Sequence, residues 1–324
     1  MRRALSREAV ALTIALAPIS LALALAFGSV AIDPTHWMAL LAGGGNELEH
    51  TIVWDLRGPR AIAAFMTGGL LALAGVLMQA LLRNPLADPY LLGISGGASV
   101  GALSAMLWHG ALPPPLAALA GAATCASAVL LLGSHRLAFD PHRLTLAGLA
   151  IAAGAGALVS LMLALAPPGD LPGMLFWLMG DLSNAMPSAS AAAILAMTLA
   201  AAIGCADGLD LLALGEAKAM SLGVAVRPLQ WAMLGCAALA SAAAVMLAGN
   251  LGFVGLAVPH LLRLSGVHAH RILAPIAVLA GGTLVTLADT LARTLIAPGE
   301  LPAGALLALM GVPVLLSLVV RRSR

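Results

Sequence analysis

Gly93-Ile94-Ser95-Gly96-Gly97 fits the G-x-S-x-G pattern, in which a serine nucleophile stands on a strained strand-to-helix turn. The flanking residues supply no strand–turn–helix context and no evident His or Asp partner. Read as a phosphate loop, 93–101 lacks the following Gly-Lys-Ser/Thr. Small-residue packing beside a path through the protein fits better, with Ser95 and Ser99 one helical turn apart along it. His260, His268 and His270 stand with Arg263 and Arg271. A His-x-His pair plus one distant His does not form a converging metal-ligand set, so these side chains read as surface charge. Cys125, Cys205 and Cys236 are far apart in apolar runs and read as packing residues. The sequence thus offers no catalytic residue, no metal site and no cofactor site. One pair is unusual: Arg57 and Arg60, three residues apart, open a long apolar stretch.

The elements that must position these groups are membrane helices. The chain has 324 residues, 61% of them hydrophobic and only 9% charged. Its mean hydropathy is +1.02. A soluble protein of this length could not hide so much apolar surface, so the partner of the surface is lipid. A net charge of +2 and 3% aromatic residues leave nothing for nucleic acid to bind. The basic start is followed by an apolar run over 9–32, too long for a cleaved signal peptide, which reads as a retained first helix.

Breaks at Pro, Gly and charge clusters predict about ten transmembrane helices: 9–32, 60–82, 90–109, 114–133, 144–166, 188–206, 229–249, 253–265, 272–292 and 302–320. The eighth is short and reads as a crossing or a broken helix. Alternating the spans from a cytoplasmic N-terminus puts all but three of the 16 Lys and Arg residues inside, Arg136, Arg143, Arg263 and Arg324 among them, and the C-terminus inside as well. The exceptions are Arg57, Arg60 and Arg293. No span carries a mid-membrane row of ionisable groups of the kind a proton- or sodium-coupled carrier needs. The energy source is therefore expected outside this chain. A secondary transporter not coupled to an ATPase is the alternative, and a membrane enzyme is a weaker one.

The longest inner loop, "DGLDLLALGEAKAMSLGVAVRPLQ" (207–230), is apolar yet broken by Gly208, Gly215 and Gly223. This predicts two short helices joined at Gly215, where glycine permits the turn. The segment reads either as an interfacial amphipathic stretch or as a knob that fills a groove on a cytoplasmic partner.

"LLALGEAKAMSLGV" resembles the coupling segment of FecCD-family ABC-importer permeases. "RGPRAIAAFMTGGLLALAGVLMQALLRNPLADPYLLGISGGASVGA" (57–102), "GFVGLAVPHLLRLSGVHAHRILAP" (252–275) and "LADTLARTLIAPGELPAGALLALMGVPVLL" (287–316) extend the resemblance along nearly the whole chain. The resemblance implies an all-α polytopic membrane protein of the type II ABC-importer permease fold, with 1–324 a single domain and the coupling segment at about 207–228. It implies a homodimer in the cell inner membrane, two cytoplasmic ATP-binding subunits that hydrolyse ATP, and a periplasmic solute-binding protein. It implies alternating access at the dimer interface for a large metal chelate: vitamin B12, a ferric siderophore or haem. No Walker A sequence is present here, in keeping with a separate ATPase.

Carried over residue by residue, the resemblance makes Leu214, Gly215, Glu216, Ala217, Leu222 and Gly223 the ATPase-coupling residues. It makes Arg57, Arg60 and Arg293 docking sockets for acidic residues of the solute-binding protein. Ser95 and Ser99 are expected along the path. The gate is expected at the start of the fifth span, "FDPHRLTLAG" (139–148), where Pro141 and His142 stand near the place of small hydroxylated residues in a related permease. "NPLADP" (84–89) reads as a rigid turn, and 173–187 as a short outer helix with Phe176 and Trp177 at the interface.

Overall fold

The computed structural model describes residues 2–42, 44, 46–135, 138–139 and 141–322. Among these the chain is helical: α1 (Arg2–Ala26), α2 (Trp37–Leu41), α3 (Glu47–His50), α4 (Gly58–Leu81), α5 (Ile94–Leu107), α6 (Pro114–Gly133), α7 (Pro141–Leu165), α8 (Leu171–Leu178), α9 (Ala189–Gly204), α10 (Ala206–Leu212), α11 (Glu216–Ser221), α12 (Val226–Ala248), α13 (Val254–Leu264), α14 (His270–Ala292) and α15 (Ala303–Arg322). A two-residue antiparallel pair, Ser134–His135 with Ala138–Phe139, joins α6 to α7. Arg136, Asp140 and Arg324 lie outside the described residues.

Each of the ten apolar runs coincides with a helix. Six described helices are long and apolar enough to cross a membrane alone; a seventh arises if α9 and α10, bent by 62°, count together. α5, α13 and the Ala303–Pro313 part of α15 are shorter. α13 has 11 residues. At about 1.5 Å per residue it covers roughly half of a ~30 Å core, so the eighth run is the broken helix, not a full crossing. The chain enters it through Gly249 (φ +65°) and Phe253 (φ +79°).

α4 is the centre of the bundle. Its most apolar window is 89% buried, against 17% for α1 and α7 and 22% for α6. It packs on α12, α13 and α14. Close approach requires glycine: a Cβ on Gly68 would stand 2.0 Å from the Gly281 carbonyl oxygen, and one on Gly75 would stand 1.8 Å from that of Gly255. Backbones this close gain dispersion contacts that lipid cannot replace. The peripheral helices keep large side chains outward, such as Leu12 and Ile14 on α1 and Leu146, Leu149, Leu158 and Leu161 on α7. Such surface suits lipid or a second subunit.

α4 begins at Gly58-Pro59, and the turns before it, Thr51–Arg57, are wound as a π-helix. Pro59 has no N–H to give and its ring crowds the carbonyl four residues back, so the helix widens. The Gly58 amide donates to Val53 O, five residues behind.

Candidate functional site

The three exceptional arginines, 236 positions apart at the extremes, converge where α4 begins and where α1 and α14 end. Arg57 is 4% exposed. Its Nη1 donates to Leu25 O at 2.9 Å and Ala26 O at 3.0 Å, and its Nη2 donates to Val30 O. It therefore fills the orphan carbonyls at the C-terminus of α1, where a cation also complements the helix dipole. Arg293 donates to Ala24 O in the same turn and is 3% exposed. Arg60 holds two carboxylates. Its Nη2 and Nε donate to Asp289 at 2.8 and 3.1 Å, and its Nη1 donates to Glu300 at 3.0 and 3.1 Å. Asp289 is 1% exposed and also lies 3.7 Å from Arg293 Nε.

These guanidinium groups, with Glu300, Ser29 and Met186, line one cleft of about 300 Å³. The sequence places them on one side of the membrane; the structure gathers them around one opening and occupies each with a partner from its own chain. Further out, Glu49 lies 3.0 Å from His36 Nδ1 and raises the His36 pKa above its usual value.

At the opposite end of the bundle, α10 and α11 form the two short helices expected around Gly215. Gly215 has φ +108° and ψ 149°, a conformation only glycine adopts without strain. Leu214, Met220 and Leu222 are 56–57% exposed on this knob. Ala217 and Gly223 are exposed beside them. Glu216 turns inward: it accepts from Gln230 Nε2 at 3.2 Å and Arg83 Nη2 at 3.4 Å. Asp210 of α10 reaches α14, where Oδ1 is 2.5 Å from His270 Nδ1 and accepts from the His270 amide at 3.1 Å. Arg263 donates to Gln79 Oε1, whose Nε2 donates to Leu256 O. A cavity of about 450 Å³ opens between Gln79, Arg83, Asp210, Arg263, His268 and His270.

The histidine cluster is not the surface charge that its sequence suggests. His260 and His270 are 5% and 4% exposed; only His268 faces outward. Among the described residues, no three His, Cys, Asp or Glu side chains converge to hold an ion. Residue type alone does not single out Asp210. Its signal was an acid inside an apolar loop, which needs a partner as soon as the loop packs.

The serine motif opens α5. Gly93 has φ +68°, and the Ser99 hydroxyl donates to Ser95 O at 2.9 Å, within the helix. Gly97 packs against Gly121 and Cys125 of α6. Pro141 is the first residue of α7 and the exposed His142 follows it. Asn84 and Asp88 each accept a backbone amide two residues on, at 3.0 and 2.8 Å, so 84–89 is the tight turn its residues imply. α8 is shorter than the 173–187 stretch. Phe176 is exposed on it, whereas Trp177 packs inward against the core.

The FecCD transport family matches residues 16–321. The vitamin B12 import system permease protein BtuC of Vibrio cholerae is 36% identical over 280 residues, covering 85% of either chain. The protein of the same name from Salmonella typhi is 37% identical over 311 residues, covering 93% of this chain and 91% of that one. A solved structure, assigned to a metal-chelate type ABC transporter in an inward-facing conformation, superposes with a TM-score of 0.80 at 27% identity. It covers 97% of this chain and 99% of that chain.

Proposed function

The chain belongs to the FecCD transport family and is the permease subunit of an ABC importer, with ATP hydrolysis left to separate subunits; from that premise we propose that its cargo is a metal chelate of the vitamin B12 type. The observation that carries the cargo is the 36–37% identity with vitamin B12 permeases over 85% or more of the chain. Ferric siderophores and haem are the other chelates to test.

The permease works with an ATP-binding and a substrate-binding partner. In our reading it is a homodimer in the cell inner membrane with both termini cytoplasmic. The face of α7 supports the dimer: added Cβ atoms on Gly154 and Gly156 would meet nothing within 4 Å. Small residues open to the outside let a second helix approach closely. Ser95, Pro141 and His142 then border the path between subunits, with the buried Ser99 one turn behind Ser95. Leu214, Gly215, Glu216, Ala217, Leu222 and Gly223 form the knob that enters the ATPase subunit, its exposed leucines supplying the apolar contact. The cleft at Arg57, Arg60 and Arg293 receives an acidic residue of the periplasmic solute-binding protein. Arg60, whose Glu300 partner is 31% exposed, is the group positioned to exchange carboxylates. Arg57 and Arg293 hold the cleft's wall by tying down the end of α1.

The test is reconstitution in liposomes with the ATP-binding subunit and solute-binding protein. Labelled cyanocobalamin, ferric siderophore and haem are offered in turn. ATP-dependent accumulation of cobalamin is expected. Accumulation of none of the three, with ATPase activity intact, would contradict the cargo assignment.

A further inference from the structure

The α14 helix is anchored at both ends by carboxylates, and the anchor at its N-terminus belongs to another element. Its N-cap residue, Ala269, makes no side-chain cap, and its first turn holds no acid. The open amide of His270 is filled by Asp210, which takes the His270 imidazole with the same oxygen. Twenty-three residues span His270–Ala292, and near the far end Asp289 holds Arg60 and Arg293. α10 is otherwise joined to the bundle through the bend at Cys205 and through apolar packing of Leu209 and Leu212. Among the described residues the other polar contacts of this segment are the part-exposed Glu216 with Arg83 and with Gln230, which tie α11 and not α10, and the exposed Arg271–Asp207 pair. Exposed pairs are weak and adjustable. A buried imidazole on a carboxylate that also caps a helix is directional and much stronger.

We propose that the Asp210–His270 clasp is the positioning contact through which the coupling segment moves α14, so that ATP binding at one end of the bundle is felt at the arginine cleft at the other. A displacement of α10 carries its carboxylate with it, and the helix whose N-terminus that carboxylate caps must follow or lose its cap. α14 lies backbone to backbone on α4 at Gly68 and Gly281 and is tied to it again by Arg60 on Asp289, so the two helices move as one body.

This inference rests on the permease reading. Its test uses the reconstituted complex of the full chain, the ATP-binding subunit and the solute-binding protein, loaded with cyanocobalamin. Three quantities are read: assembly by co-purification, basal ATPase rate, and stimulation of that rate by loaded binding protein. Asp210→Ala and His270→Leu are expected to leave the first two unchanged and to lower stimulation by about fivefold or more, the lower end of ordinary coupling between sites. The double variant is expected to be no worse than either single one. His270→Asn, whose amide stands where Nδ1 stood, is expected to restore stimulation. A merely structural role would lower assembly and basal rate together, and asparagine would not rescue selectively. Full stimulation in His270→Leu beside a normally stimulated wild type would overturn this inference alone. A wild type stimulated by no binding protein would overturn the permease assignment and this inference with it.

Discussion

The two ends of α14 are held by carboxylates in opposite surroundings. Asp289 is sealed at 1% exposure among guanidinium groups, and Arg60 beside it holds a second acid. Asp210 keeps 39% of its side chain exposed and makes one clasp. A network removed from water cannot lose one member cheaply, because the remaining charges have nothing to replace it. A single directional clasp has no network around it to break, so it passes the movement of one element to another. The arginine end is therefore built as a frame and the coupling end as a joint.

Removing the keystone of the frame gives the largest expected effect. Asp289→Ala leaves Arg60 and Arg293 facing each other without a shared acid, and is expected to cost about 3–5 kcal/mol. Thermal unfolding in detergent would show it as a large fall in midpoint and in yield; an unchanged midpoint would break the contrast. At the joint, Leu214→Glu with Leu222→Glu is expected to leave that midpoint alone and abolish co-purification of the ATP-binding subunit. Each leucine forfeits about 1.5–3 kcal/mol of burial. Retained co-purification would mean that the exposed leucines are not the contact.

Glu300→Gln sharpens the comparison within the frame. Glu300 is its one part-exposed acid, so stability is expected to change by less than about 1 kcal/mol. Association with the solute-binding protein at low salt is expected to strengthen a few-fold, because a competitor for Arg60 is gone. Weaker association would make Glu300 part of the docking surface itself. The smallest effect concerns His36, whose pKa Glu49 raises. The stabilising contribution of a group raised on folding is complete below its usual value near 6.5 and fades as pH climbs through the raised one. Glu49→Gln is expected to return the His36 titration, followed by NMR, toward its usual value. An unmoved titration would remove the pair from the account.

The ten helices were legible because lipid demands long apolar runs, and proline and glycine mark where they stop. The turn at Gly215 was legible because a glycine between two apolar stretches has few other uses. That Arg57, Arg60 and Arg293 share one end of the bundle was legible from charge counting, but their partners were not. The oxygens that Arg57 reaches belong to the backbone at 25, 26 and 30, and backbone acceptors leave no trace in residue type. Asp289 lies 229 positions from Arg60, and no periodicity relates them. His270 read as surface charge for the same reason: its partner Asp210 sits 60 positions earlier, in an element whose packing only the fold determines. The 253–265 run is short for a crossing, and only the fold shows α13 stopping partway.

The contrast between frame and joint is tested most directly by distances in the reconstituted complex. With Cys125, Cys205 and Cys236 replaced by serine, spin labels go on Asp207→Cys and Ile272→Cys at the coupling end. A second sample carries them on Ile62→Cys and Leu291→Cys at the arginine end. All four positions are exposed. Pulsed electron–electron resonance is then recorded without nucleotide and with trapped ATP. The account predicts that in the wild type neither distribution shifts, because the clasp carries α14 with α10 and the frame holds α14 on α4, whereas in His270→Leu the coupling-end distribution shifts and the arginine-end distribution stays in place. A coupling end that shifts as far in the wild type as in His270→Leu, or an arginine end that shifts, would contradict it.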